Sequence, residues 1–334
     1  MPRVSVIIVN YNGKGLIANC LKALEDQSLK DFEIVVVDNA SLDDSLHEIQ
    51  RFLEKGLIDS PVKLIPLGKN SGFGGGNLEG LRHANGEYIA LLNNDTEPDK
   101  RWLEEFIMAM DSDPNVGICA SKLIVYGTDI IDSAGDGFSF SLKGFKRGEG
   151  ERASSYNIKE YVFGACAGAA LYRRKMIDEV GFLDEDFFLI HEDTDLNIRA
   201  QLYGWKVLYV PTAMVYHKTR STIGRMSKTA VYYTLRNSEF VRVKNIPFSL
   251  FLQLLPEFIL GMVSEFIYFA LKHRHPVLYF KAKIDAVRLL PVMLKKRSVN
   301  MKAKRVSNRD LREIMTPVLE QSFLRSKLRK LIFG

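Results

Sequence analysis

"VSVIIVNY" (residues 4–11) and "FEIVVVDNA" (32–40) are continuous apolar runs of strand length, and each closes on polar residues. Between them "LIANCLKALEDQS" (16–28) places Leu16, Ile17, Cys20, Leu21 and Leu24 at helical spacing. The alternation then continues. "DDSLHEIQRFLEKG" (43–56) reads as a second helix with Asp43 or Asp44 as its cap and Gly56 beyond its end. "VKLIPL" (62–67), the glycine-rich "NSGFGGGNLEG" (70–80), the strand "EYIALLNND" (87–95) and the helix "DKRWLEEFIMAMD" (99–111) follow. This βαβαβαβα order predicts an α/β fold with a doubly wound, mostly parallel sheet and right-handed crossovers. Ligands of such sheets sit beyond the C-terminal strand ends. Three polar clusters end these strands, at Asn10 to Asn12, Asp38 to Asn39 and Asn93 to Asp95, and all should line one crevice.

With 334 residues, 46% of them hydrophobic, the chain can bury a full core and is not disordered. Three cysteines, Cys20, Cys119 and Cys166, without a CxxC pair, fit a reducing compartment and offer no disulfide or metal framework. The apolar run at the N-terminus is too short for a signal peptide. The net charge of +6 divides unevenly: residues 241–334 carry 19 Lys+Arg against 6 Asp+Glu, and the first 240 carry 27 against 34. An acidic body with a basic, apolar tail predicts an anionic surface as the tail's partner, and no nucleic-acid-binding motif accompanies the charge.

The chain therefore reads as a catalytic domain over 1–240, with a nucleotide-binding half to residue 120 and an acceptor half after it, followed by a helical tail from 241. Residues 246–271 form a mostly apolar stretch interrupted by Gln253, Pro256, Glu257 and Glu265. About 20 residues suffice to cross a bilayer, but carboxylates at its centre cost roughly 2.5–3.5 kcal/mol each. The expectation is a helix pair lying in the membrane interface, with "LKKR" (294–297) and "KAKR" (302–305) on anionic headgroups.

Five glycines crowd into residues 70–80, which suggests a shaped loop where something approaches the main chain closely. Asp38 suits a ribose or base contact, or equally a turn that caps the next helix. In "LLNND", Asp95 could hold a hard cation on rigid backbone, or cap a helix behind Pro98. "HEDTDLNIR" sets Glu192, Asp193 and Asp195 at a helix start, where the dipole favours acids and crowding can raise one pKa into the range of a base. His217 is either structural or a metal ligand. In "YYTLRN" (232–237), Arg236 could reach a phosphate or lie on a helix surface.

Taken in order, these segments resemble the family-2 glycosyltransferases of the A-type fold, and within them the branch that includes rhamnosyltransferases of cell-surface polysaccharide assembly. The matching blocks are "VSVIIVNYNG" (4–13), "VVVDNASLDDS" (35–45), "NSGFGGGNLEG" (70–80), "ALLNND" (90–95), "GACAGAALYRR" (164–174), "GFLDEDFFLIHEDTDLNIRAQLYGW" (181–205) and "VYHKTRST" (215–222). The resemblance implies that Asn10, Asn12, Asp38 and Asn39 hold the nucleotide. It places the Asp-x-Asp element on Asn93, Asn94 and Asp95, with Asn93 departing from the pattern. Asp95 and His217 would ligate Mg²⁺ or Mn²⁺, and Asp193 would be the catalytic base with Glu192 beside it at the acceptor.

The glycine-rich segment would leave room for the donor at Gly75, with Asn70 and Asn77 as hydrogen-bonding side chains and a helix starting near Asn77. The implied activity is an inverting transfer from a nucleotide sugar, such as dTDP-L-rhamnose, to a lipid-linked or polysaccharide acceptor. It would take place at the cytoplasmic face of the cell membrane, with self-association compatible. A sugar nucleotidyltransferase is the rival enzyme reading, although "NYNGKGLI" (10–17) imitates its phosphate loop only faintly. An inactive nucleotide-sugar-binding scaffold is the rival that Asn93 keeps open.

Overall fold

The computed structural model describes residues 1–219 and 226–318. Its first half runs β1 (Val4–Asn10), α1 (Ile17–Glu25), β2 (Phe32–Asp38), α2 (Ser45–Glu54), β3 (Val62–Pro66), α3 (Gly72–His83), β4 (Tyr88–Leu92), β5 (Thr96–Pro98) and α4 (Trp102–Ser112). Strands β3, β2, β1 and β4 lie side by side in that order, all parallel. The unbroken apolar runs follow from burial on both faces. Val4, Val6 and Ile8 enter a core with Ile17, Leu21 and Trp102 of α1 and α4. Ile7, Val35 and Val37 enter the opposite core, against Leu78 and Leu81 of α3.

The second half adds β6 (Val116–Val125), β7 (Ile131–Ala134), β8 (Asp136–Phe138), β9 (Gly144–Lys146), β10 (Glu160–Val162), β11 (Ala169–Arg173), α5 (Arg174–Val180), α6 (Glu192–Leu202) and β12 (Lys206–His217). It extends the same sheet in the order β4, β11, β6, β12, β10. Strand β11 is antiparallel to both β4 and β6, while β12 is parallel to β6. Strands β8 and β9 form a separate antiparallel hairpin. At the far end of β12, antiparallel pairing with β5 sets His217 opposite Thr96.

The glycine-rich segment is a helix rather than a loop. Helix α3 begins at Gly72 instead of near Asn77, so all five glycines belong to it. Gly72 has φ +76°, and a Cβ there would overlap the Phe188 carbonyl oxygen. At Gly76 a Cβ would stand 2.8 Å from Val9 of β1, so bare backbone lets the helix settle onto the sheet. The close approach inferred from composition is real, but the approaching group is the protein's own strand and the 184–188 segment.

The tail consists of α7 (Lys228–Asn245), α8 (Phe248–Gln253), α9 (Leu255–Phe266), a π-helical turn, α10 (Pro276–Arg288), α11 (Leu290–Ala303) and α12 (Asn308–Glu313). The expected boundary at 240 falls inside α7, whose Lys244 and Asn245 are buried against Asp195 of α6. No helix among the described residues is long and apolar enough to cross a membrane.

Glu265, expected to burden a membrane helix, is buried in an ion cluster with Lys143 (2.9 Å), Lys283 (2.6 Å) and Arg242 (3.5 Å). Burial opposes its charge, but these cations outweigh burial and hold the carboxyl down at about 2. Two members of "LKKR" also turn inward. Lys296 binds Asp184 and Asp186, and Arg297 donates to the carbonyls of Val243 and Ile246. The last basic stretch, 319–334, lies outside the described residues.

Candidate active site

The strand ends do converge. Asn10, buried at the end of β1, donates to Asp38 Oδ1 (2.9 Å) at the end of β2 and accepts from Asn94 Nδ2 (2.9 Å) after β4. Asp38 takes two further bonds from Ser41. This network joins all three expected clusters. Asn12, exposed and at φ 52°, accepts from the Leu42 amide. Asn39 donates to Asn70 Oδ1 and to the Gly72 carbonyl, and accepts from Ser71, so Asn39 and Asn70 together organise the start of α3. Asn77 donates to the Phe73 carbonyl one helical turn back. A Cβ on Gly75 would meet Ser71 of the same helix at 2.8 Å, and Asn77 is buried.

Strand β4 stops at Leu92, and Asn93 to Asp95 form the turn into β5. Because β5 pairs with β12, Asp95 Oδ1 comes within 3.3 Å of His217 Nε2. The other ring nitrogen, Nδ1, is 2.8 Å from Asp132 Oδ2, and Lys146 Nζ binds both oxygens of Asp132 at 2.8 Å. Burial works against a charged imidazole here, but the two carboxylates outweigh it and lift His217 to about 9. An oxygen and a nitrogen 3.3 Å apart suit two ligands of one small cation, and the carboxylate behind the histidine fixes the ring as such sites require. The residues present therefore fit the expected cation.

A cavity of about 330 Å³ opens beside this turn, lined by Asn93, Cys166, Ala167, Gly168, the β8–β9 hairpin and residues 189–194. Asp193, in the first turn of α6, accepts from the Thr194 amide (2.7 Å) and the Ala167 amide (3.3 Å). Its neighbour Glu192 is 6% exposed, and its Oε2 meets no partner among the described residues. Burial and then the Asp193 charge push Glu192 up to about 8, so it keeps its proton near neutrality. Asp195, the third acid, is structural. It is fully buried and bound by Arg199, Lys244 and Asn245.

Phe188, Ile190 and His191 all have positive φ, between 61° and 73°. A β-branched residue rarely adopts this conformation, and the segment is held by its neighbours. Asn237 Nδ2 donates to the carbonyls of Phe187, Leu189 and Ile190, and Arg236 donates to those of Asp186 and Phe187. Arg236 is thus tied to backbone and lies over the rings of Tyr233 and Phe240.

Asp136 and Cys166 escaped the sequence reading. With Asp193 they place one ligand atom each within 4.8 Å of one another. Burial keeps the Cys166 thiol protonated, which suits a hard cation less well than the Asp95–His217 pair does. The acids of "DSAGDG" (132–137) were the available signal, but strands of four and three residues are too short to give a periodicity that says where they point.

A sheet of this order, with its polar strand ends and carboxylate-lined cavity on one side, is an A-type glycosyltransferase fold. The Glycosyl transferase family 2 domain matches residues 5–181, more than half of the chain, and the chain belongs to that family. It is similar to the GalNAc(5)-diNAcBac-PP-undecaprenol beta-1,3-glucosyltransferase of Campylobacter jejuni, 26% identical over 73% of this chain and 74% of the relative. The amylovoran biosynthesis glycosyltransferase AmsB of Erwinia amylovora is 28% identical over 69% of this chain and 75% of its own. Among solved structures, the mannosyltransferase PcManGT of Pyrobaculum calidifontis, in complex with GDP-Man and Mn²⁺, shares the fold. It has a TM-score of 0.54 at 17% identity and covers 99% of this chain and 87% of its own.

Proposed function

We propose that this glycosyltransferase moves a sugar from a nucleotide-sugar donor to a hydroxyl of a lipid-linked or polysaccharide acceptor in cell-envelope glycan assembly, with inversion at the anomeric carbon. The observation that carries the reading is a shared wall. Asn93, two residues before Asp95, lines the same cavity as Asp193, so a diphosphate at the Asp95 turn and a base at α6 would face one substrate. Asp193 would take the acceptor's proton as its oxygen bonds to the anomeric carbon. The bond from that carbon to the diphosphate breaks in the same step. Mg²⁺ or Mn²⁺ on Asp95 and His217 would neutralise the departing diphosphate. One displacement inverts the centre, and the reading requires no nucleophilic side chain.

The envelope assignment draws on the two relatives, one named for an undecaprenol-linked substrate and the other for amylovoran biosynthesis. Peripheral attachment to a membrane, which this reading places at the cytoplasmic face, draws on large apolar side chains exposed on α8 to α11, among them Phe248, Ile259, Val277, Phe280 and Val287.

The test is a donor panel including dTDP-L-rhamnose, UDP-glucose, UDP-N-acetylglucosamine and GDP-mannose, read by thermal shift and by nucleoside diphosphate release, with Mn²⁺ and with chelator. One donor should raise the melting temperature and release diphosphonucleoside only with the metal. Release of inorganic diphosphate from a nucleoside triphosphate and a sugar 1-phosphate would contradict the reading.

A further inference from the structure

Asp136 faces the cavity from β8, across from Asp193 on α6. Its position is set rigidly. The Asp136 amide donates to the Gly164 carbonyl (2.7 Å), and the Gly164 amide donates back (2.9 Å). The next residue, Ala165, is tied to α6 by both polar atoms of Asn197, so the two carboxylates are held on one framework. Asp136 Oδ1 accepts from Ser133 Oγ (3.1 Å), and its other oxygen takes no hydrogen bond among the described residues.

The cavity's charge balance constrains what can enter. Asp136, Glu192 and Asp193 all line it. Of its cationic side chains, Lys146 is bound to both oxygens of Asp132. His191 is held neutral, with burial pushing it down to about 4 and its ring nitrogens on Thr194 and Ser238. Among the described residues lining the cavity, a phosphate or carboxylate would find no cation that is not already paired or held neutral. A hydroxyl suits the site in either protonation state of Asp136, because it can donate to the carboxylate or accept from the acid. Phe73 and Phe145 add apolar walls of the kind that cover the C–H face of a pyranose.

Resting on the glycosyltransferase reading, we propose that Asp136 is an acceptor-binding residue. It holds a second hydroxyl, next to the one that Asp193 deprotonates, so the reacting end of the acceptor is an uncharged polyol. A hydrogen-bonding site of this kind discriminates strongly against an analogue lacking the group, because the buried partner is then left unpaired. Donor binding, centred on the strand-end network and Asp95, should be indifferent to Asp136.

The experiment uses the full chain with the donor that releases nucleoside diphosphate. The acceptors are octyl glycosides of glucose, galactose, N-acetylglucosamine, N-acetylgalactosamine and rhamnose, their monodeoxy counterparts, and octyl glucuronide. Wild type should use a neutral glycoside, reject the glucuronide, and show an acceptor KM raised about ten- to a hundredfold when the hydroxyl beside the reacting one is removed. Asp136→Ala should raise the KM of the parent glycoside by a similar factor, leave the deoxy compound unchanged, and keep donor affinity by calorimetry within about twofold.

Asp136→Asn, which preserves volume, separates this loss from misfolding and should fall between wild type and Ala. Equal losses on parent and deoxy glycosides, an unchanged parent KM, efficient use of the glucuronide, or donor hydrolysis with no transfer to any neutral glycoside would overturn the proposal. Absence of nucleoside diphosphate release from every donor would instead remove the glycosyltransferase reading on which it rests.

Discussion

Asp95 Oδ1 and His217 Nε2 lie 3.3 Å apart, although more than a hundred residues separate them in the chain. The antiparallel pairing of β5 with the end of β12 makes the contact, and Asp132 holds the far side of the ring. Metal affinity should follow this arrangement in two steps. Asp95→Ala or His217→Ala should abolish measurable Mn²⁺ binding in the presence of nucleoside diphosphate. Asp132→Asn, which meets the ring at its other nitrogen and also binds Lys146, should weaken it about 10- to 100-fold. Titration calorimetry distinguishes the two, and an unchanged affinity in His217→Ala would remove it from the ligand set.

Asp195 is held by Arg199 (2.8 Å), Lys244 (2.8 Å) and Asn245 (2.7 Å), all buried. Removing the anion leaves two buried cations without it. Asp195→Ala should therefore cost about 3–5 kcal/mol of stability in urea unfolding, whatever it does to activity. A loss below about 1 kcal/mol would mean that the cluster relaxes into solvent.

Glu192 gives stability a pH dependence with a definite sign. Its folded pKa, raised by burial and then by Asp193, is about 8 against an ordinary 4.5. The folded state thus binds the extra proton between these values, and this contribution is complete below about 4.5 and lost as pH rises through about 8. Glu192→Gln, which cannot ionise, should gain stability relative to wild type as pH climbs across that window. Melting temperatures of the two proteins that run parallel from pH 5 to 8 would contradict the assignment.

Gly80 packs against Ile7 of β1, and a Cβ there would overlap the isoleucine methyl. Gly80→Val should destabilise by about 1–3 kcal/mol, as overpacking does, with donor affinity preserved in whatever fraction folds. Normal stability with selective loss of donor binding would restore the older expectation that the glycines make room for the nucleotide.

How much of this was legible depended on the range of the interactions. The parallel strands announced themselves because Val6 to Ile8 and Ile34 to Val37 are apolar on both faces, a local signal. Asn10, Asp38 and Asn94 could be placed together because strand ends of such a sheet share one side. The glycine-rich segment reads as a loop because glycine marks any close approach, and only the tertiary structure shows a helix from Gly72 packed on β1. The backbone partners of Arg236, at 186 and 187, are some fifty positions away, so nothing local revealed them. Asp132 and Asp136 lie in strands of four and three residues, too short for their period to be read from sequence, so nothing local revealed which way they face.

The central claim is that Asp193 is the base of a metal-assisted transfer, and its most direct test compares Asp193→Asn with wild type using the identified donor, Mn²⁺ and a neutral octyl glycoside. The account predicts transfer slowed by about 10²–10⁴-fold, with donor affinity by calorimetry within about twofold of wild type. Near-normal transfer by Asp193→Asn would contradict it.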